Sequence, residues 1–299
     1  MGPQGGGRQG ADHQAWGHAS SNGLGFTHHT IVDQHFRACE EAYLGLLDEV
    51  GIRPGWRVLD AGCGPGDFLP HLAHRVGPEG RVCAIDLAQE NAALAARRAR
   101  ESVSPVRVVR GSLFALPYPD GAFDAAWCAN TVQYFDDTQL ATVLAELKRV
   151  VRPGGIVAVK DLDAHLITAR PGDPYLFADF FRAASADSGY ARQLLRSREL
   201  YRHLRRAGLT AVRQRTVLIE HHAPLTPAAR AFYGASSAQL AAQAERLGLA
   251  DRWRRLREPD GPGHPLDDPD GYISEGNVLA LGTVPRPGTR TPGAATPQA

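Results

Sequence analysis

From Ile31 onward the apolar residues Phe36, Cys39, Tyr43, Leu46, Leu47 and Val50 recur at helical spacing, which predicts an amphipathic helix ahead of the first strand. Five short apolar runs then have the length of buried strands: the start of the 58–66 run, Arg81–Asp86, Val106–Arg110, 125–129 and 156–159. Amphipathic stretches such as 138–151 separate them, and this alternation implies a parallel sheet. Gly154-Gly155 is expected to close the preceding helix with a left-handed cap, with Pro153 preventing its continuation. Beyond Asp161 the pattern gives a helical stretch at 175–207 and two further strands at 211–220 and 278–284. Residues 224–276 between those strands hold one helical run, 227–256, and a Pro-, Gly- and Asp-rich loop, 259–271. Ordinary hairpin connections are far shorter, so this one is expected to be functional or disordered. Residues 1–25 and 285–299 carry no apolar periodicity and by composition should lack order.

Chemistry concentrates at 58–66, Val-Leu-Asp-Ala-Gly-Cys-Gly-Pro-Gly, where a buried strand runs into a loop nearly stripped of side chains. Gly62, Gly64 and Gly66 let a ligand approach the backbone, and the amphipathic stretch that follows can set a helix N-terminus there. Asp86 ends the next strand about twenty residues past the last glycine, where ribose hydroxyls require an acceptor. This spacing fits either NAD or S-adenosylmethionine (SAM).

Asp60 inside the loop, Gly-Cys-Gly-Pro-Gly and the acidic Asp86 resemble the motifs of class I SAM-dependent methyltransferases. The resemblance continues in order through Gly111-Ser112-Leu113, Leu116-Pro117-Tyr118-Pro119-Asp120-Gly121, Phe123-Asp124 and Arg152-Pro153-Gly154-Gly155. It covers roughly 50–165 and is strongest with the small-molecule branch of quinone-biosynthesis and natural-product enzymes. It implies an α/β, Rossmann-like fold: a seven-stranded, mostly parallel sheet with helices on both faces, an N-terminal helical lid and a helical insertion before the last strand. The domain would span 26–284, with the lid at 26–50, the SAM-binding core at 51–165, and substrate-side helices, hairpin and cap at 166–284.

The resemblance also assigns roles. Asp86 would accept from the ribose hydroxyls and Leu87 would line the adenine. Gly62, Cys63, Gly64 and Gly66 would lie beneath the methionine portion, with Asp60 bonding nearby. Ser112 and Leu113 would meet the adenine, Ser112 standing where the family usually has Asp. Asn130 and Gln133 would face the methionine end and the transferring methyl group. Tyr134 is a candidate for contact with either ligand, and Trp127 is expected in the core. The acceptor would be a small molecule, with oxygen, nitrogen and carbon all open. The alternative reading is a SAM-binding protein of this fold that catalyses a non-methylating reaction such as cyclisation, or one that acts as a binding module, and the resemblance points to a homodimer.

Methyl transfer from a sulfonium needs a base only when the nucleophile must lose a proton. His28, His29 and His165 are the candidates, from the lid and the fifth strand end. His35 lies within the lid helix, and His221 and His222 would point to opposite faces of a strand. Asp161 and Asp163, two apart after the fifth strand, would share a face; they read as carboxylates near a positive sulfonium rather than as a metal site.

Composition narrows the partners. The chain has 299 residues, 43% hydrophobic and 22% charged, with a formal charge of +1, which gives no electrostatic reason to expect nucleic acid. Arginines cluster at 196–206 and 252–257, but Glu199, Asp251 and Glu258 are interspersed among them. The four cysteines, Cys39, Cys63, Cys83 and Cys128, do not have the spacing of a disulfide framework. No apolar run approaches membrane-spanning length and the amino terminus has no signal h-region, so a cytoplasmic protein is expected.

Overall fold

The computed structural model describes residues 18–19, 25–26, 29–258, 260–261 and 263–288. The ends expected to lack order lie largely outside these; within them, His18–Ala19 and Gly25–Phe26 form a two-residue antiparallel ladder.

Helix α1, His29–Asp48, buries the predicted face, with Cys39, Tyr43, Leu46 and Leu47 at 2% exposure or less. It leads into β1 (Arg57–Ala61), α2 (Leu69–Val76), β2 (Arg81–Asp86), α3 (Gln89–Arg98), β3 (Val106–Arg110) and β4 (Phe123–Ala129). Helix α4, Asp137–Val150, starts at a capping box. The Gln139 N–H donates to Asp136 Oδ1 at 2.8 Å and the Asp136 N–H to Gln139 Oε1 at 2.9 Å. A cap of this kind stabilises a helix by about 1 kcal/mol.

Strand β5 runs from Val151 to Arg170, far beyond the predicted 156–159. The expected left-handed cap at Gly154-Gly155 is not formed, because α4 ends at Val150 and Val151 already pairs with Phe123. Ala125 next pairs with Ile156, so 152–155 bulge from the strand. Glycine is required there for another reason: a Cβ on Gly155 would lie 2.5 Å from the Asp124 carbonyl oxygen. The Gly154 N–H and the Gly155 carbonyl instead tie down Val284.

The stretch 175–207 folds as α5 (Leu176–Asp187), α6 (Gly189–Arg196), a 3-10 turn and α7 (Leu200–Arg206), followed by β6 (Thr210–His222). The expected single run 227–256 breaks into α8 (Pro227–Arg246) and a one-turn α9 (Ala250–Trp253), with Gly248 between them at φ +72°. The last strand, β7, is Tyr272–Thr283 and begins six residues before the predicted 278. The excursion between β6 and β7 is closed at its neck, where the Ala223 N–H donates to the Gly271 carbonyl at 2.8 Å.

The seven strands form one sheet in the order β3-β2-β1-β4-β5-β7-β6, parallel up to β5, with β7 antiparallel to β5 and to β6. This is the seven-stranded, mostly parallel arrangement expected from the sequence. Strands β1, β2 and β4 are covered on both faces, which is why they read as continuous apolar runs. One core lies between the sheet and α4 and α7, and a second between the sheet, α1 and α2. Trp127 is fully buried in the second. A third core joins α5, α6, α8 and the far ends of β5 and β7. Among the described residues no helix is long and apolar enough to cross a membrane, and all four cysteines are buried and free.

Candidate active site

The glycine loop turns at the carboxyl edge of the sheet. The Gly62 and Cys63 N–H groups donate to the Ile85 carbonyl at 2.8 and 3.0 Å, pinning the loop to β2. Gly62, Gly64 and Gly66 have φ of +77°, +54° and +91°, in the region that favours glycine. A Cβ on Gly62 would lie 2.5 Å from the Thr131 side chain, whereas one on Gly64 would meet no protein atom within 4 Å.

Asp86 organises this loop. Its Oδ2 accepts the Gly64 N–H at 2.8 Å and its Oδ1 the Ala88 N–H at 2.9 Å, with Asn91 Nδ2 at 3.3 Å. Burial raises its pKa even against these donors. Carboxylate lone pairs remain for vicinal hydroxyls. Asp60 is 2% exposed, and its Oδ2 is sealed with no partner. Burial, with the Asp86 and Asp67 charges added, pushes it up to about 8. An orphaned carboxylate beside a glycine turn suits a ligand bearing both hydroxyls and an ammonium, as SAM does.

Beyond Asp60 the loop opens into a cavity of about 220 Å³. Gly62, Cys63, Asn130 and Gln133 form its floor, and Tyr134 lines it with its ring stacked 5.5 Å from that of Tyr190. Its upper walls are mainly apolar: Phe36 from α1, Phe177 and Phe181 from α5, Phe232 from α8 and Ile273 from β7.

One wall departs from that character. Glu275 of β7 is 2% exposed, and its two carboxylate oxygens lie 2.9 and 3.0 Å from His35 Nε2. Asn277 Nδ2 donates to the same carboxylate at 2.8 Å, and the Cys39 thiol at 3.6 Å. Burial alone would raise the Glu275 carboxyl, but His35, Lys160 and Asn277 outweigh it and hold it at about 2. Lys160 is fully buried, with its ammonium 3.3 Å from the centre of the Tyr43 ring, and donates to Asn130 Oδ1 at 2.7 Å. Burial lowers it to about 8 against the pull of Glu275.

Tyr43 Oη sits 3.0 Å from His35 Nε2, so the cluster reaches back toward the floor. His35, Cys39 and Glu275 bring donor atoms within 4.8 Å of one another, a spacing a metal could use. Burial pushes the Cys39 thiol well up, however, and the carboxylate already accepts three side-chain hydrogen bonds. The trio is a hydrogen-bonded network.

The structure therefore gathers Asp60, Gly62, Cys63, Asn130, Gln133 and Tyr134 around one cavity. Asn130 adopts φ +52°, held by its N–H to the Lys160 carbonyl and its side chain to Lys160 Nζ. Gly64 and Gly66 of the loop, with Asp86 and Leu87 beside it, lie outside the cavity lining. Ser112 accepts the Phe114 N–H at 3.2 Å, and Leu113 is buried beside β2.

The candidate bases are placed differently. His28 lies outside the described residues, and His29 is exposed at the start of α1, away from the cavity lining. His165 is exposed and turned to Asp163, its Nδ1 3.0 Å from Oδ1. Asp163 is also paired with Arg198 at 2.6 Å, and Asp161 is buried within β5; neither lines the cavity. His221 packs near Tyr233 and His222 near Tyr272, on opposite faces as expected.

The sequence reading missed Lys160, Tyr233, Glu275 and Asn277, and gave Cys39 and Tyr43 only a packing role. The available signal was Ser-Glu-Gly-Asn running directly into the apolar 278–284.

Residues 58–155 match the family described as "Methyltransferase domain". The matched segment, β1 to the start of β5, is similar to a methyltransferase domain. A 2-phytyl-1,4-naphtoquinone methyltransferase of Synechococcus elongatus is 40% identical over 126 residues, 42% of this chain and 51% of the relative. A demethylmenaquinone methyltransferase of Staphylococcus aureus is 34% identical over 112 residues, 38% of this chain and 45% of the relative. An uncharacterized 37.1 kDa protein in transposon TN4556 of Streptomyces fradiae is 42% identical over 123 residues, 41% of this chain and 35% of that protein. The chain thus spans about half or less of the curated relatives it matches.

Among solved structures, the YcgJ protein of Bacillus subtilis aligns with a TM-score of 0.51 at 19% identity, covering 82% of this chain and 99% of that one. A Haloferax volcanii complex of a methyltransferase activator with a putative methyltransferase gives 0.52 at 18%, covering 87% and 94%. Both share the fold over most of this chain, well beyond the matched segment.

Proposed function

We propose that the protein is a SAM-dependent methyltransferase acting on a small, flat, largely apolar acceptor. The observation that carries this reading is the continuity of one cavity from Asp60, Asn130 and Gln133 to a chamber walled by Phe36, Phe177, Phe181 and Phe232. SAM supplies an electrophilic methyl group. Asp86 holds the hydroxyls of its ribose, Asp60 faces its ammonium, and Gly62, Cys63, Asn130 and Gln133 shape the floor from which the methyl is presented. The aromatic walls then hold the acceptor in line, and such alignment supplies much of the rate in a displacement of this kind. Quinone rings, a 2-phytyl-1,4-naphtoquinone and a demethylmenaquinone in the names of two of the relatives, suit a chamber of this shape. The reading extends to a cytoplasmic homodimer working in bacterial natural-product metabolism.

Isothermal titration with SAM, followed by mass spectrometry of a panel of hydroxylated naphthalenes and naphthoquinones, tests it. Binding of SAM and gain of one methyl with stoichiometric S-adenosylhomocysteine are expected. Failure of the folded protein to bind SAM sinks the reading, and product without S-adenosylhomocysteine rejects methyl transfer.

A further inference from the structure

His35 is the one histidine among the described residues that lines the cavity. Three contacts fix its ring. Phe232 stacks on one face at 3.9 Å with an interplanar angle of 7°, Tyr43 meets it edge-on, and Glu275 holds Nε2 with both carboxylate oxygens. An ionised carboxylate can only accept, so Nε2 carries the hydrogen. In a neutral imidazole the other nitrogen then has a free lone pair, and Nδ1 makes no hydrogen bond to any described residue. Tyr43 Oη, 3.0 Å from Nε2, links this ring to the floor where Asn130 stands.

We propose that His35, aligned by Glu275, is the base that takes the acceptor's proton, and that the acceptor presents an ionisable hydroxyl on a flat ring, a phenol or an enol. The inference rests on the methyltransferase reading and selects oxygen among the acceptor atoms. A neutral amine needs no base before attack, whereas a hydroxyl gains nucleophilicity by losing its proton. The Glu275 carboxylate is wholly engaged with His35, Asn277 and Cys39, leaving that wall no anion for an ammonium-bearing substrate. In the reaction the O–H bond breaks and its proton passes to Nδ1. The oxygen's electron pair forms the new C–O bond as the S–CH3 bond breaks, with its pair left on sulfur, and the imidazolium returns its proton to solvent. The titratable groups facing His35 are Cys39 and Tyr43 on α1, Lys160 on β5, His221 on β6, Tyr233 on α8 and Glu275 on β7. Burial pushes both phenols and the thiol up, Lys160 is engaged with Asn130, and Glu275 stays ionised.

The test uses 4-nitrophenol, whose anion is coloured, with the full chain saturated in S-adenosylhomocysteine at about pH 6, where the free probe is mostly neutral. The bound probe should show about tenfold more nitrophenolate than free probe at the same pH. Spectra of 15N-histidine protein, taken above about pH 8 where an ordinary imidazole is neutral, should show His35 as the Nε2–H form before addition and as imidazolium after it. His35→Gln keeps a donor for Glu275 but removes the base. It should bind S-adenosylhomocysteine within about twofold of wild type and leave bound nitrophenol neutral. If wild type does not bind S-adenosylhomocysteine, the methyltransferase reading falls and the inference with it. If it does, but the probe fails to bind, stays neutral, or ionises equally in His35→Gln, the base assignment alone is overturned. Should the variant fail to fold, the wild-type spectra decide: an Nδ1–H form, or no imidazolium with the probe, overturns the assignment.

Discussion

The donor end and the acceptor chamber meet at Asn130, yet they are built on different principles. The donor end is consecutive backbone: the turn at 62–66, its N–H groups on the Ile85 carbonyl, and one carboxylate, Asp86, receiving Gly64 and Ala88. The chamber is side chains drawn together from afar, as in the pair His35 and Glu275, 240 residues apart. A site made of backbone conformation tolerates little change in glycine or register. One made of side chains can be rewritten residue by residue while the sheet stands.

The sharpest way to break this contrast is at Glu275. Glu275→Gln removes the carboxylate that His35, Asn277 and Cys39 bond and whose charge steadies the buried Lys160 ammonium, and leaving buried polar groups uncompensated in this way costs about 3 kcal/mol. Urea unfolding at neutral pH should show that loss, while SAM affinity of the folded protein changes less than about threefold. A collapse of SAM affinity would mean the two regions are a single unit. Because the folded pKa of Glu275 is about 2 against an ordinary 4.5, its contribution is present above about 4.5 and is lost as pH falls through 2. Acid unfolding of the wild type should steepen in that window and that of the variant should not.

At the donor end, Asp86→Ala removes the acceptor for both loop N–H groups and for the ribose. SAM affinity should fall about 100-fold by calorimetry, or about 2.7 kcal/mol. Gly62→Ala forces φ +77° on a side chain and drives its Cβ against Thr131. A stability loss of about 2 kcal/mol in denaturant melts is expected, and an unchanged melt would show the loop to be more pliable than its geometry suggests.

The smallest effect concerns Asp60, whose folded pKa of about 8 lies above its ordinary 3.8. Between those values the folded state keeps a proton that the unfolded chain lacks, so stability falls as pH rises through the window. Asp60→Asn should flatten that slope, gain about 1 kcal/mol for the ligand-free protein at the alkaline end, and weaken SAM binding. Thermal melts at several pH values, with and without SAM, separate the two effects.

The same contrast explains what the sequence could reveal. Asp60, the glycines and Asp86 announce themselves because the chemistry needs those residue types at fixed spacing along one strand-turn-helix and the next strand. Glu275 and Asn277 stayed hidden because they interrupt an apolar run with polar residues, so hydropathy ends the strand at 278. In the structure the strand continues to Tyr272, pairing with β5 and β6 on either side, and turns those polar residues into a buried network. Lys160 was obscured in the same way, as a charge at the end of an apolar strand with no visible partner. His29 and His165 were selected for standing near expected strand ends and lid. Only tertiary packing shows that α1 presents His35 instead, one face against Phe232.

The neck between Ala223 and Gly271 gives this chamber a genetic consequence. The excursion that carries α8 leaves the sheet and returns to it at one hydrogen bond, so its interior can lengthen, shorten or be exchanged while β6 and β7 keep their register. Swapping 224–270 between relatives of this fold would reassign the roof over the acceptor in one recombination event, leaving the methyl donor's berth untouched.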